Sequence, residues 1–205
     1  DEIAEVIKDA DMVFITAGMG GGTGTGAAPI VAEIAQEMDK LTVAVVTKPF
    51  KFEGPKKMEK AEKGIASLLE HVDALIVIPN QNLLSGDQKL TMRQSYALAD
   101  EVLKTDVISI AEIITRHDEI NVDFADITTI IKNAGFAHMA IGHGQGKDKV
   151  QDVVSQVISS DLLETSITGA KRLLVNITMS EDIVVDEIDE LTNAITAAVD
   201  PDAEI

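Results

Sequence analysis

The residues from Ala17 to Pro29 read Ala-Gly-Met-Gly-Gly-Gly-Thr-Gly-Thr-Gly-Ala-Ala-Pro, and no other stretch is as well suited to holding an anion. Gly18, Gly20, Gly21, Gly22, Gly24 and Gly26 leave almost no side chain over the loop. Bare backbone N–H groups can then converge on a phosphate, and Thr23 and Thr25 add hydroxyl donors. An apolar run, Met12–Thr16, precedes the loop, and a helical pattern follows from Ile30 to Met38. A helix there adds its free N–H groups and the positive end of its dipole. A Walker-type loop would end in Gly-Lys-Ser/Thr, yet no lysine lies between Asp11 and Met38. Gly22, Gly24 and Ala27 can be fitted to G-x-G-x-x-A, but a dinucleotide site also wants an acid about 20 residues on. The next strand instead ends in Thr47-Lys48-Pro49.

Four further groups carry chemistry. Glu53 and Lys57 sit in a loop and helix start, Phe50 to Lys57. Asn80 follows a strand as Pro79-Asn80, an ordinary turn by itself. Tyr96 and Asp100 are four residues apart on a helical pattern, so they share a face. The stretch Asn121-Val122-Asp123-Phe124-Ala125-Asp126 reads as a helix start, with Asp123 as N-cap and Asp126 in the first turn.

The elements that must position these groups alternate. Glu2–Asp9 reads as a helix end. Met12–Ala17, Leu41–Thr47 and Asp73–Ile78 are unbroken apolar runs, the pattern of strands buried on both faces. Helical patterns fall at Ala28–Met38 and Pro55–Leu69 between them. This predicts a parallel, doubly wound, Rossmann-like α/β sheet with ligands at the carboxyl ends of its strands. The loop at Ala17–Pro29, the segment Lys48–Gly54 and Pro79–Gln81 all leave the sheet at that end and can line one site. Thr91–Thr115 predicts a helix of roughly 37 Å, long enough to cross a domain. Beyond it, helices are expected at Ile127–Ala134, Lys149–Ile158 and Asp182–Val199, and strands at Phe136–Gly142 and Lys171–Thr178, a second α+β domain. The expected division is residues 1–90, a long helix at 91–116, and residues 117–205.

Composition excludes several functions. The net charge is −18, which argues against nucleic-acid binding, since that needs a basic footprint. With aromatics at 3% and no tryptophan, a stacking platform for single strands is unsupported. Cysteine is absent, so there are no disulfides or thiolate metal sites, which fits a reducing cytoplasm. The four histidines are too scattered for a zinc site, and no metal-ligating residues are assigned. No apolar run approaches the roughly 18 residues needed to span a membrane, so no direct membrane insertion is expected. Asp1 is not a start methionine, so the natural chain is expected to begin earlier.

The glycine–threonine alternation at Gly20–Gly26 is similar to the signature loop of the tubulin/FtsZ superfamily. With Gly18-Met19 before it and Ala27-Ala28-Pro29 after, it resembles the bacterial FtsZ form. Pro49-Phe50-Lys51-Phe52-Glu53-Gly54 resembles that family's Pro-Phe-x-Phe-Glu-Gly-x-x-Arg loop, with Lys57 where the family has arginine. Lysine keeps the charge and loses the bidentate fork. Asn121–Asp126 matches the family's Asn-x-Asp-Phe-Ala-Asp loop, although His117-Asp118-Glu119 stands where many members have Pro-Gly. The resemblance runs over essentially the whole chain, while the family's proteins are longer. It therefore implies a fold truncated at both ends, whose 205 residues alone bind GTP poorly.

The resemblance implies a cytoplasmic GTPase of the mid-cell division site that polymerises head to tail and binds GTP or GDP with Mg²⁺. Glu53 and Lys57 would contact the ribose, Asn80 the base or sugar, Tyr96 the guanine ring, and Asp100 the guanine N–H donors. Asp123 and Asp126, helped by Asn121, would polarise the water that attacks the γ-phosphate. At the far end of a long helix they would lie roughly 35 Å from their own loop, so they would serve a second copy's nucleotide. Anchor and regulatory proteins of the division ring would bind the full-length chain. The alternative is a non-polymerising nucleotide-binding module on the same sheet.

Overall fold

The structure is a computed structural model describing residues 2–84, 90–115, 123–159, 167, 169–180 and 183–205. The chain forms two compact units, residues 1–137 and 138–205.

The first unit is built on a parallel sheet in the order β1-β2-β3-β4. Its strands are β1 (Met12–Gly18), β2 (Leu41–Lys48), β3 (Ala74–Pro79) and the short β4 (Gly135–Ala137). Helix α1 (Glu2–Ile7) leads in, α2 (Thr23–Glu37) joins β1 to β2, and α3 (Pro55–Leu69) joins β2 to β3. Between β3 and β4 lie α4 (Met92–Thr115) and α5 (Phe124–Ile131). Both sheet faces are packed. Val13, Ile15, Ala44, Val46 and Leu75 form one core with Ala28, Ala32 and Ala35 of α2 and Ala61, Ile65 and Leu68 of α3. The alternate residues Val43, Val45, Ile76 and Ile78 are buried too, and α4 packs on β2. That double burial explains why these strands are unbroken apolar runs. The buried residues of α4 are Ser95, Ala99, Asp106 and Ile110, one stripe at helical spacing. Asp106 is an acid on that stripe, and burial pushes its carboxyl up to about 6.

At the amino ends of the strands Asp73 acts as a clamp. Its carboxylate accepts the N–H of Thr42 at 2.9 Å and of Asn133 at 3.2 Å. Its carbonyl accepts the N–H of Gly135 at 2.9 Å, which seats β4 beside β3.

Two expectations change. The helix expected at Ala28–Met38 begins five residues earlier, at Thr23, so the Gly-Thr-Gly-Thr run is its first turn rather than a loop before it. The strands expected at Phe136–Gly142 and Lys171–Thr178 shrink to the three residues of β4 and an isolated bridge between Arg172 and Glu204. An alternating pattern supplies a strand's faces but not its ladder partner.

In the second unit α6 (Lys149–Ile158) packs on α7 (Val185–Ala198). An ion pair from Lys149 to Glu187 at 2.9 Å ties the two helices together. Gln156 holds the glycine-rich turn, accepting the N–H of His143 at 3.1 Å and donating to its carbonyl at 2.8 Å.

Candidate functional site

The glycine loop leaves the carboxyl end of β1 and is pinned from both sides. The Met19 N–H donates to the Thr47 carbonyl at the end of β2, at 3.0 Å. The Gly20 N–H donates to Thr25 Oγ1 at 2.8 Å, closing the loop on the first turn of α2. The Gly26 N–H makes the first bond of the helix, to the Gly22 carbonyl. The N–H groups of Gly21, Gly22, Thr23, Gly24 and Thr25 have no partner among the described residues. Those of Gly22, Thr23, Gly24 and Thr25 are the four orphan donors of a helix N-terminus. A side chain at Gly21, Gly22 or Gly26 would meet nothing within 4 Å, so this face of the loop is open. The opposite face is closed: a Cβ at Gly24 would lie 2.6 Å from the Gly18 carbonyl oxygen. Gly20 has φ of +100°, and a Cβ there would lie 2.7 Å from the Lys57 carbonyl oxygen, so only glycine fits. An open face lined by unpaired N–H groups over a rigid floor suits a phosphate chain.

Beside the cradle, Lys51–Glu53 form a short 3₁₀ turn. Glu53 Oε1 accepts the Phe50 N–H at 2.9 Å, and Lys57 Nζ donates to the other carboxylate oxygen. Tyr96 lies close enough to this carboxylate to influence its titration. Burial alone would raise the Glu53 carboxyl, but the bonds from Lys57 and the Phe50 backbone, with Tyr96 beside them, hold it below its ordinary value. The same bond raises Lys57. Burial, then the Glu53 carboxylate, raises Tyr96. The Tyr96 ring stands edge-on to Phe50 at 5.4 Å and to Phe52 at 6.2 Å. Gln81 accepts the Lys51 N–H at 3.1 Å, which ties this turn to the end of β3. Next to Gln81, Asn80 is buried, and its Oδ1 has no hydrogen-bond partner. An unsatisfied buried acceptor costs stability. Asp100, one turn beyond Tyr96, is exposed and lines a shallow cavity with Thr16 of β1 and Leu103 of α4.

Asp123 and Asp126 lie elsewhere. Asp123 is the N-cap of α5, and its side chain accepts from Ala125 N–H at a long 3.5 Å. Asp126 sits in the first turn, and both are exposed. Phe124 and Thr128 of α5 line a pocket with Ala10, Asp11, Asp39, Lys40 and Leu41, at the amino ends of β1 and β2. The cradle is at the other end of the same strands, and β2 alone spans roughly 23 Å. Asn121 lies outside the described residues. The structure thus gathers Glu53, Lys57, Asn80 and Tyr96 around the cradle and leaves both aspartates at the opposite end.

Four supporting residues escaped sequence reasoning. Phe50 and Phe52 frame Tyr96, and their spacing in Pro-Phe-x-Phe was the available signal. Thr47 and Gly64, which floor the cradle, gave none.

Among the described residues no three His, Asp or Glu side chains cluster to hold a metal, and no helix is long and apolar enough to cross a membrane.

Two family models match the chain. One for the Tubulin/FtsZ family GTPase domain matches residues 1–87, and one for the FtsZ family C-terminal domain matches residues 135–205. The chain is 48% identical over 207 residues to the cell division protein FtsZ of Aquifex aeolicus (strain VF5), covering all of this chain and 56% of that protein. It is similar to a solved point mutant of FtsZ from M. jannaschii, with TM-score 0.94 and 41% identity over 100% of this chain and 62% of that one. A solved empty FtsZ dimer from M. jannaschii matches with TM-score 0.93 and 42% identity, over 100% of this chain and 60% of that one. The chain therefore spans little more than half the length of these relatives.

Proposed function

This chain belongs to the Tubulin/FtsZ family, and from that premise we propose that it works as a GTPase whose active site is shared between two stacked copies. The triphosphate lies on Gly21–Thr25. The Thr25 hydroxyl, which accepts from Gly20, keeps its own proton for a phosphate oxygen. Glu53 and Lys57 meet the ribose, Tyr96 the guanine ring, and Asp100 the guanine N–H donors. The Asn80 Oδ1 without a partner supports a polar contact there. The Thr23 and Thr25 hydroxyls are the neutral oxygens the cradle would offer to a Mg²⁺ ion accompanying the triphosphate, whose charge would offset that of the phosphates.

One observation carries the shared site: cradle and aspartates occupy opposite ends of one sheet. Neither aspartate can reach its own phosphate, but the exposed end of α5 in one copy can meet the open face of the next copy's cradle. There Asp123 and Asp126, with Asn121, orient and polarise water for in-line attack, catalysis by positioning and electrostatics. A heterologous contact that does not close gives an open filament. The reading is a cytoplasmic filament of the bacterial division ring, on which anchor and regulatory proteins converge.

The test uses a chimaera in which the Aquifex relative supplies the segments flanking this chain. Turnover per molecule should rise with concentration, and light scattering should rise with GTP but not GDP. Equal turnover at dilutions where the chimaera is wholly monomeric rules out the shared site and leaves a non-polymerising nucleotide-binding module.

A further inference from the structure

We infer that Gly64, in the middle of α3, is a positioning residue for the cradle: its missing side chain is what lets Thr25 hold the Gly20 amide. Gly64 belongs to the buried stripe Ala61, Gly64, Ile65, Leu68 of α3. This stripe packs on the alanine stripe of α2, and small residues on both sides let the helix axes approach closely. A Cβ at Gly64 would lie 2.5 Å from Thr25 Cγ2 and 2.8 Å from Met19 Cε. The methionine end is flexible and can move away at little cost. The threonine methyl cannot. Cγ2 and Oγ1 share one Cβ, so any χ1 rotation that clears the methyl also carries the hydroxyl off the Gly20 N–H. That bond, 2.8 Å long, closes the loop. A methyl group added on a neighbouring helix is thereby converted into a change in cradle shape. Its consequence for nucleotide rests on the GTP reading above, but the geometric claim does not.

The two claims separate in a double-mutant cycle of Gly64→Ala and Thr25→Ser. Serine keeps the hydroxyl and deletes the methyl. Hydrogen exchange of the Gly20 amide is followed by NMR in this chain without nucleotide, and GTP affinity is measured in the chimaera. Gly64→Ala should speed Gly20 exchange about fivefold, the factor one hydrogen bond typically carries, and weaken GTP binding to a similar degree. Introduced into the Thr25→Ser background, the same change should alter neither quantity by more than about twofold. Unchanged Gly20 exchange in Gly64→Ala overturns the proposal. An equal rise in both backgrounds overturns it too, since that is general loosening of α3. If exchange follows the cycle while GTP affinity does not, the positioning role stands and the nucleotide reading of the cradle falls.

Discussion

The two ends of the first sheet are built differently. At the carboxyl end the loop and the side chains beside it are braced, while the cradle's own N–H groups stay open. Met19 is bonded to Thr47 and Gly20 to Thr25, Glu53 takes Phe50 and Lys57, and three aromatic rings are packed together. At the amino end the backbone is fixed by Asp73 and the Asp123 N-cap, but the carboxylates of Asp123 and Asp126 stand exposed. Binding a charged, flexible ligand rewards donors fixed beforehand. Groups that act on another molecule must instead remain reachable until it arrives.

The largest test of that contrast is Asp126→Ala in the chimaera. GTP turnover should fall on the order of a hundredfold or more, with GTP affinity held within about twofold. Mixed with the unaltered chimaera, the variant should depress activity beyond its share if each site draws on two chains, as proposed. A variant that hydrolyses GTP at the normal rate removes Asp126 from the chemistry. At the other end, Gly24→Ala places a Cβ 2.6 Å from the Gly18 carbonyl oxygen, a backbone atom that cannot step aside. It should cost about 2 kcal/mol in urea unfolding and lower GTP affinity at least about tenfold.

On α4, the helix between β3 and the aspartates, Asp106→Asn should act through pH. With its folded value pushed up to about 6 from 3.8, the buried carboxyl favours the protonated fold. Its stabilising share is complete below 3.8 and is lost as pH rises through about 6. The variant should therefore be more stable than the parent by about 2 kcal/mol at pH 8, with the gap closing below pH 4. A gap that does not change with pH excludes this titration.

Glu53→Gln should cost about 1 kcal/mol at neutral pH. The Glu53 share is present above its ordinary 4.5 and fades as pH falls through the lowered folded value. The Lys57 share is present below 10.5 and fades as pH rises through the raised folded value. The loss in this variant should thus be greatest between those limits. The smallest effect is expected at the amino end, where Lys132 meets Asp39 at 3.4 Å with both side chains in water. Lys132→Ala should shift stability by less than about 0.5 kcal/mol.

Most of the first unit was legible because its strands are buried on both faces. Met12–Ala17 and Leu41–Thr47 differ from β1 and β2 by one residue at the end, and Pro55–Leu69 coincides with α3. The start of α2 was not legible. Gly-Thr-Gly-Thr-Gly has poor helix propensity, and what holds it helical is tertiary: Gly24 beneath the Gly18 carbonyl and Gly64 beneath Thr25. The Asp123 cap was readable from residue type alone. In contrast, the meeting of Glu53 with Tyr96 joins residues far apart in sequence, and no local pattern announces it. The expected strand at Lys171–Thr178 shows the converse failure, an apolar pattern that among the described residues pairs only through one bridge, Arg172 to Glu204.

The pairing of Ala74 with Gly135 also imposes an order of events. At synthesis rates of roughly 5–20 residues per second, β4 leaves the ribosome roughly 3–12 seconds after β3. During that interval the outer edge of Ala74–Pro79 is an open template for any extended segment nearby. The nascent chain holds every strand and helix around the glycine loop before it can anchor the far aspartates. Until β4 is made, that edge is where the growing polypeptide is most open to mispairing.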